Sequence, residues 1–285
     1  MAVIAAFTLA VLAPARAEMS AAPAVAAMAA AAERPAVAPA VIVPQARRLP
    51  SVGYSCGTAA QLQRFHYRLE RTGRRLARDE RLTIVAIGSS STAGTGASSP
   101  AASYPGRLAA EFKARLPGRD IVVVNRGVGG QTTEKMLARF SSDVIAARPD
   151  LVLWQVGTNS VLRDRPLPPH AQLLRDGIAR LKAAGADVVL IDMQFAPRVA
   201  AKPEAQAMED QIALAAKEQS VDLFPRFALM RGWHEVQHIP FEVFVSPDRL
   251  HMNDWSYACL AKLLAADIIE AATRPVAAAA AARRH

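Results

Sequence analysis

Five short apolar runs, each closed by a turn signal and most followed by a helical pattern, constrain this chain more than any other feature. They span residues 83–88, 121–127, 151–157, 187–193 and 221–224, and they are apolar almost throughout rather than at alternate positions. A strand covered on both faces needs such a run, whereas a strand with one wet face alternates. Helical patterns lie between them near 105–116, 133–147, 170–184 and 204–219, with a last one near 255–272. Gly118 and Gly185 stand where two of these helices should end. Strands alternating with helices imply an α/β fold, a parallel sheet wound with helices on both sides. In strand order 2-1-3-4-5 the loops after the first three strands converge where the order reverses. Ligands of such sheets sit there, outside the carboxyl ends of the strands. Those loops are also the least ordinary in the chain: GSSSTAGTG at 88–96, NRGVGGQTT at 125–133 and VGTNS at 156–160.

The two ends read differently from the core. Residues 1–17 combine an apolar stretch with Ala15-Arg16-Ala17, a small-residue cleavage pattern, and are expected to be a signal peptide. The stretch is too short to span a membrane. No Lys or Arg precedes it. Residues 18–52 are rich in Ala and Pro, with prolines at 23, 35, 39, 44 and 50, and read as a semi-extended linker. Residues 275–285 form a second low-complexity segment, which leaves 53–274 as one domain. The two cysteines, Cys56 and Cys259, lie near opposite ends of that domain. An exported protein with an even cysteine count is expected to pair them. The formal charge is +9, and Arg64, Arg68, Arg71, Arg75 and Arg78 recur at helical spacing. The expected role of that row is a solvated helix face, with weak attraction to anionic envelope surfaces as the alternative. Nucleic acid is not an expected partner, because no recognition motif accompanies the charge.

A glycine-rich loop between strand and helix is first of all a phosphate cradle. The Walker pattern fails here, since Gly88 to Gly94 is one residue too long and Thr95 stands in place of lysine. The dinucleotide pattern fails as well, because Gly94-Thr95-Gly96 continues Ala97-Ser98-Ser99. Thr92 replaces the last glycine of G-x-S-x-G. What remains is a serine-rich turn directly after a buried strand, and a serine is a weak nucleophile until a base and an oxyanion hole join it. Of six histidines, His251 stands out, in Asp248-Arg249-Leu250-His251 after the fifth strand, with Asn253 or Asp254 placed to cap the last helix. Asp248 can then hold the imidazole in one tautomer.

With these residues the chain resembles the SGNH hydrolases, also called GDSL esterases and lipases. Gly88-Ser89-Ser90 resembles the first block and implies Ser90 as nucleophile. Asn125-Arg126-Gly127-Val128-Gly129-Gly130 resembles the second, implying an oxyanion-hole N–H at Gly130. Gly157-Thr158-Asn159 resembles the third, with the Asn159 side chain as another donor, and Asp248 and His251 resemble the last. The resemblance implies a three-layer α/β/α sandwich with a flavodoxin-like five-stranded sheet. It also implies an acyl-enzyme mechanism that needs no metal or organic cofactor. Two departures stand out: Ser89 occupies the position of the family's aspartate, and Ser160 follows Asn159 where aspartate is common. Ser89 and Ser91 are expected to shape the turn through hydroxyl-to-backbone bonds. Taken singly, Asn125 and Gly130 read as turn residues, Asn159 as a helix cap, and Asp248 and His251 as an ordinary helix entry.

The expected substrate is a small ester or acylated carbohydrate, with an O-acetyl sugar first. Lysophospholipid or thioester hydrolysis and O-acyl transfer are the alternatives, and a non-catalytic carbohydrate-binding protein is the rival of a different class. Trp154, Gln155, Gln194, Phe195 and Tyr104 either line the pocket or pack, and the aromatics are expected to pack. His234-Glu235-Val236-Gln237-His238 fits the H-E-x-x-H zinc pattern. Gly232 before it and Pro240 after it leave little helix, so a rim or lid segment is expected instead.

Overall fold

The computed structural model describes residues 53–57 and 64–275. The expected signal peptide and linker, and all of the expected tail except residue 275, lie outside the described residues. The strands are β1 (Leu82–Gly88), β2 (Ile121–Gly127), β3 (Leu151–Gln155), β4 (Asp187–Ile191) and β5 (Asp222–Phe224). They form one parallel sheet in the order β2-β1-β3-β4-β5. β1, β3 and β4 are buried nearly throughout, as their unbroken apolar runs require. β2 differs: it is an edge strand, half-buried, and exposes Asn125 and Arg126.

Eleven α-helices are described: α1 (Glu70–Ala77), α2 (Ser90–Ala93), α3 (Tyr104–Arg115), α4 (Thr133–Ala138), α5 (Thr158–Leu162), α6 (Leu167–Ala183), α7 (Pro197–Ala200), α8 (Ala205–Glu218), α9 (Arg226–Glu235), α10 (Phe241–Phe244) and α11 (Asp254–Thr273). Helix α11 packs on α1 and α3 as one layer, and α6 packs on α4 and α8 as the other. The pattern at 133–147 does not make one helix. It breaks after α4 into a π turn at Phe140–Val144 and a 3-10 turn at Ile145–Ala147.

The arginine row is only partly a helix. α1 begins at Glu70, because aspartates at the amino ends of two strands take the backbone at its entry, and a third binds its arginines. Asp222 accepts from the N–H groups of His66 and Tyr67 at 2.6 and 3.2 Å. Asp187 accepts from the N–H and hydroxyl of Thr72, both at 2.8 Å, and so caps the first turn from outside. Asp150, just before β3, accepts from Arg71 Nε at 2.7 Å, Arg75 Nε at 2.9 Å and Thr83 N–H at 2.9 Å. Arg71 and Arg75 are therefore not simply a solvated face; they bind a buried carboxylate. Cys56 and Cys259 are joined by a disulfide that ties the 53–57 segment to the second turn of α11.

Candidate active site

The loop after β1 turns into α2 with Ser90 as its first residue. That turn is tight. A Cβ on Gly88 would stand 2.1 Å from Thr92 Oγ1 and 2.8 Å from Gln155 Oε1, so only glycine fits. Gln155 ends β3 and holds the loop from below. Its Oε1 accepts from Ser89 N–H at 3.0 Å, and from the hydroxyls of Ser89 and Thr92 at 3.3 Å each. The hydroxyl of Ser89 thus bonds a side chain rather than the backbone. An aspartate in its place would set a carboxylate against an acceptor oxygen in a buried spot.

The neighbouring loop from β2 is fastened to this one. Asn125 Nδ2 donates to Thr92 O at 2.8 Å while its Oδ1 accepts from Gly127 N–H at 2.8 Å, and Val128 N–H donates to Gly88 O at 3.1 Å. Gly130 has φ of +72°, the left-handed region. Its carbonyl accepts from Arg163 Nη2 at 2.7 Å. Asn159, in the first turn of α5, donates from Nδ2 to Gln131 O at 3.0 Å, so its amide lies against the Gly130–Gln131 turn. Arg139 braces the same loop, with Nε on Gln131 Oε1 at 2.6 Å and Nη2 on Gly88 O at 3.1 Å.

On the other side, residues 246–252 form a closed loop ahead of α11. Ser246 N–H donates to His251 O at 2.7 Å, and Asn253 makes a capping box with Ser256. Asp248 Oδ1 accepts from the N–H groups of Leu250 and His251 at 3.0 and 2.9 Å, and its Oδ2 bonds His251 Nδ1. Partial burial pulls the Asp248 carboxyl up. The His251 ring and these N–H groups outweigh that pull and hold the carboxyl below its ordinary value. His251 Nε2 lies 2.7 Å from Ser90 Oγ. Ser90, His251 and Asp248 thus stand in one hydrogen-bonded line, and Gly130 and Asn159 stand together on the next loops.

A buried polar layer lies under these loops. Gln194 accepts from Thr158 Oγ1 and Arg226 Nη2 and donates to Leu250 O. Arg226 is fully buried, and burial also lifts the carboxyls of the Asp192–Glu209 pair beside it. Trp154, Tyr104 and Phe195 are buried and pack, as expected for aromatics. Arg139, Arg163 and Arg226 carry no signal in the sequence, because a lone arginine does not show which partner it will bond.

His234-Glu235-Val236-Gln237-His238 does not form a two-histidine helix face. α9 ends at Glu235, Val236 is 76% exposed and His238 has φ of +54°. His234 instead bonds Ile239 O through Nδ1 and stacks on Phe241 with ring centroids 4.0 Å apart.

A 2-1-3-4-5 sheet with Gly-Ser-Ser, Asn-Arg-Gly, Gly-Thr-Asn and Asp-Arg-Leu-His blocks gathered at one edge is the arrangement of an SGNH-type hydrolase. Within that class the chain belongs to the Non-GDSL lipase-like family, which it matches over residues 55–274. It is 27% identical over 154 residues to an arylesterase of Vibrio mimicus, covering 54% of this chain and 72% of that one. An acetylxylan esterase of Geobacillus stearothermophilus is 42% identical over 57 residues, covering 20% of this chain and 26% of its own length. Solved catalytic mutants of such an acetylxylan esterase, 20% to 21% identical and with TM-scores of 0.55 to 0.57, cover 66% of this chain and 94% of theirs. They replace a serine, a histidine, and an aspartate three residues before that histidine. A two-domain esterase active on acetylated mannans shares the fold with a TM-score of 0.63 at 22% identity, over 75% of this chain and 56% of that one.

Proposed function

We propose that this chain is a serine esterase that removes short O-acyl groups, O-acetyl groups of carbohydrates foremost. Ser90 Oγ attacks the ester carbonyl as His251 Nε2 takes its proton, and Asp248 steadies the imidazolium that forms. The carbonyl oxygen gains negative charge and turns toward Gly130 N–H, Ser90 N–H and Asn159 Nδ2. Collapse expels the sugar alkoxide, which takes the proton from His251 and leaves an acyl-Ser90 ester. Water, deprotonated by His251, then attacks that ester and releases the acid and free Ser90.

The observation that carries this reading is the unbroken line from Ser90 Oγ through both ring nitrogens of His251 to the Asp248 carboxylate. An Asp-x-x-His spacing with a distant serine, as in the catalytic mutants of the acetylxylan esterase, supports it. The preference for acetylated sugars draws on the acetylxylan and acetylated-mannan esterases among the similar proteins. The proposal extends to export: the Cys56–Cys259 disulfide suits an oxidising compartment. Among the described residues no helix is long and apolar enough to cross a membrane.

The test is a panel of nitrophenyl esters of increasing chain length and of O-acetylated oligosaccharides, run with wild type and Ser90→Ala. Turnover should favour acetyl over longer chains. Ser90→Ala should lose at least about 10⁴-fold in kcat while staying folded. A Ser90→Ala protein that still hydrolysed acetyl esters at the wild-type rate would remove the assignment.

A further inference from the structure

One buried side chain touches the residue immediately before each of two groups assigned above. Gln194 is 1% exposed and lies in the segment between β4 and α7. Its Oε1 accepts from Thr158 Oγ1 at 2.9 Å and from Arg226 Nη2 at 3.1 Å, and its Nε2 donates to Leu250 O at 3.2 Å. Thr158 precedes Asn159, and Leu250 precedes His251. These two loops come from distant parts of the chain, and Gln194 bonds them both.

We propose that Gln194 is a positioning residue for ester cleavage: a strut that sets the distance between the Asn159 donor and the His251 base. The proposal rests on the reading of Asn159 and His251 given above. A primary amide suits the place because it offers an acceptor and a donor on one short stem. Arg226 fixes the strut from beneath, since the guanidinium that donates to Gln194 also donates to Asp192 O. Arg226 is itself fully buried, and it has packed surroundings rather than solvent to hold it in register.

The strut should matter most in the transition state. Asn159 acts on an oxygen only once it carries charge, and His251 must reach Ser90 Oγ at hydrogen-bond length as the proton moves. A misplacement of about 1 Å in such a constellation costs on the order of 100-fold in rate. Substrate binding depends on it much less, so kcat should fall and KM should hold.

The experiment compares Thr158→Val, Thr158→Ser and Gln194→Glu in the full chain, with Ser90→Ala as the blank. Valine keeps the shape of threonine and removes the hydroxyl, while serine keeps the hydroxyl and removes the methyl. Thr158→Val should lose about 10- to 100-fold in kcat with KM within about two-fold, and Thr158→Ser should stay within about three-fold of wild type. Gln194→Glu keeps the acceptor and removes the donor to Leu250 O, so its kcat should also fall, with slower fluorophosphonate labelling of Ser90. If Thr158 served packing alone, valine would outperform serine, and that order would overturn the strut. Equal kcat across the three proteins and wild type, or a loss carried by KM, would overturn it as well. A dead Ser90→Ala beside a normal Thr158→Val defeats only the strut, whereas an active Ser90→Ala defeats the esterase site itself.

Discussion

At the scale of single residues, Asn159 makes the sharpest case, because its amide already has a structural partner. Nδ2 donates to Gln131 O at 3.0 Å, which fixes the plane of the amide and leaves its second hydrogen for another acceptor. Asn159→Ala should therefore lower kcat by about 100- to 1000-fold with little change in KM, read from initial rates on an acetyl ester. Wild-type kcat in that variant would exclude Asn159 from the oxyanion hole. Ser89 carries a different lesson. It stands where the resembled family has aspartate, and the structure gives the reason in Gln155, whose Oε1 collects Ser89 N–H and two hydroxyls. The serine at 89 thus meets an amide at the end of a different strand.

At the scale of elements, the strands were legible and several helices were not. An apolar run announces itself without its neighbours, so all five strands could be anticipated, whereas their order came with the doubly wound topology assumed for them. The start of α1 could not, because it depends on Asp187 and Asp222, which lie more than a hundred residues further on. The same holds for Gln194 and Arg226: a polar residue beside an apolar run gives no sign of which loop it will bond. The four blocks were legible because each is a local pattern of glycine, hydroxyl and amide.

Helix α11 carries its own liability. Asp267 lies on it, 5% exposed, and burial lifts its carboxyl from 3.8 to about 7, with the charges of Glu270 and Asp222 adding to the rise. A raised carboxyl favours the folded state while it is protonated. Its contribution is complete below about pH 4 and is lost as pH climbs through about 7. Asp267→Asn should thus match wild type in urea midpoint near pH 4 and exceed it at pH 8. A constant difference across that range would show that the carboxyl does not titrate with folding.

At the scale of the whole described domain, the Cys56–Cys259 bridge closes a loop with a sequence separation of 203. Chain entropy assigns such a closure about 5 kcal/mol at most. Cys56→Ser together with Cys259→Ser should lower the thermal midpoint and leave the acetyl-ester kcat near wild type below that midpoint. An unchanged midpoint would mean that the bridge constrains nothing that unfolding releases. The double variant also asks whether anchoring α11 matters to His251, since the helix that bears Cys259 begins just beyond the histidine loop.

The distance along the chain between Ser90 and His251 sets a clock. The two are 161 residues apart in sequence and 2.7 Å apart in space. At about 5–20 residues per second, a ribosome adds the imidazole roughly 8–32 seconds after the hydroxyl. On the proposed mechanism, Ser90 is throughout that interval an ordinary alcohol, with no base to draw its proton. The histidine, the helix cap and the second cysteine all follow late, so a chain that stops before residue 251 lacks all three. On the proposed mechanism, the order of synthesis alone withholds ester cleavage from every copy that ends before His251.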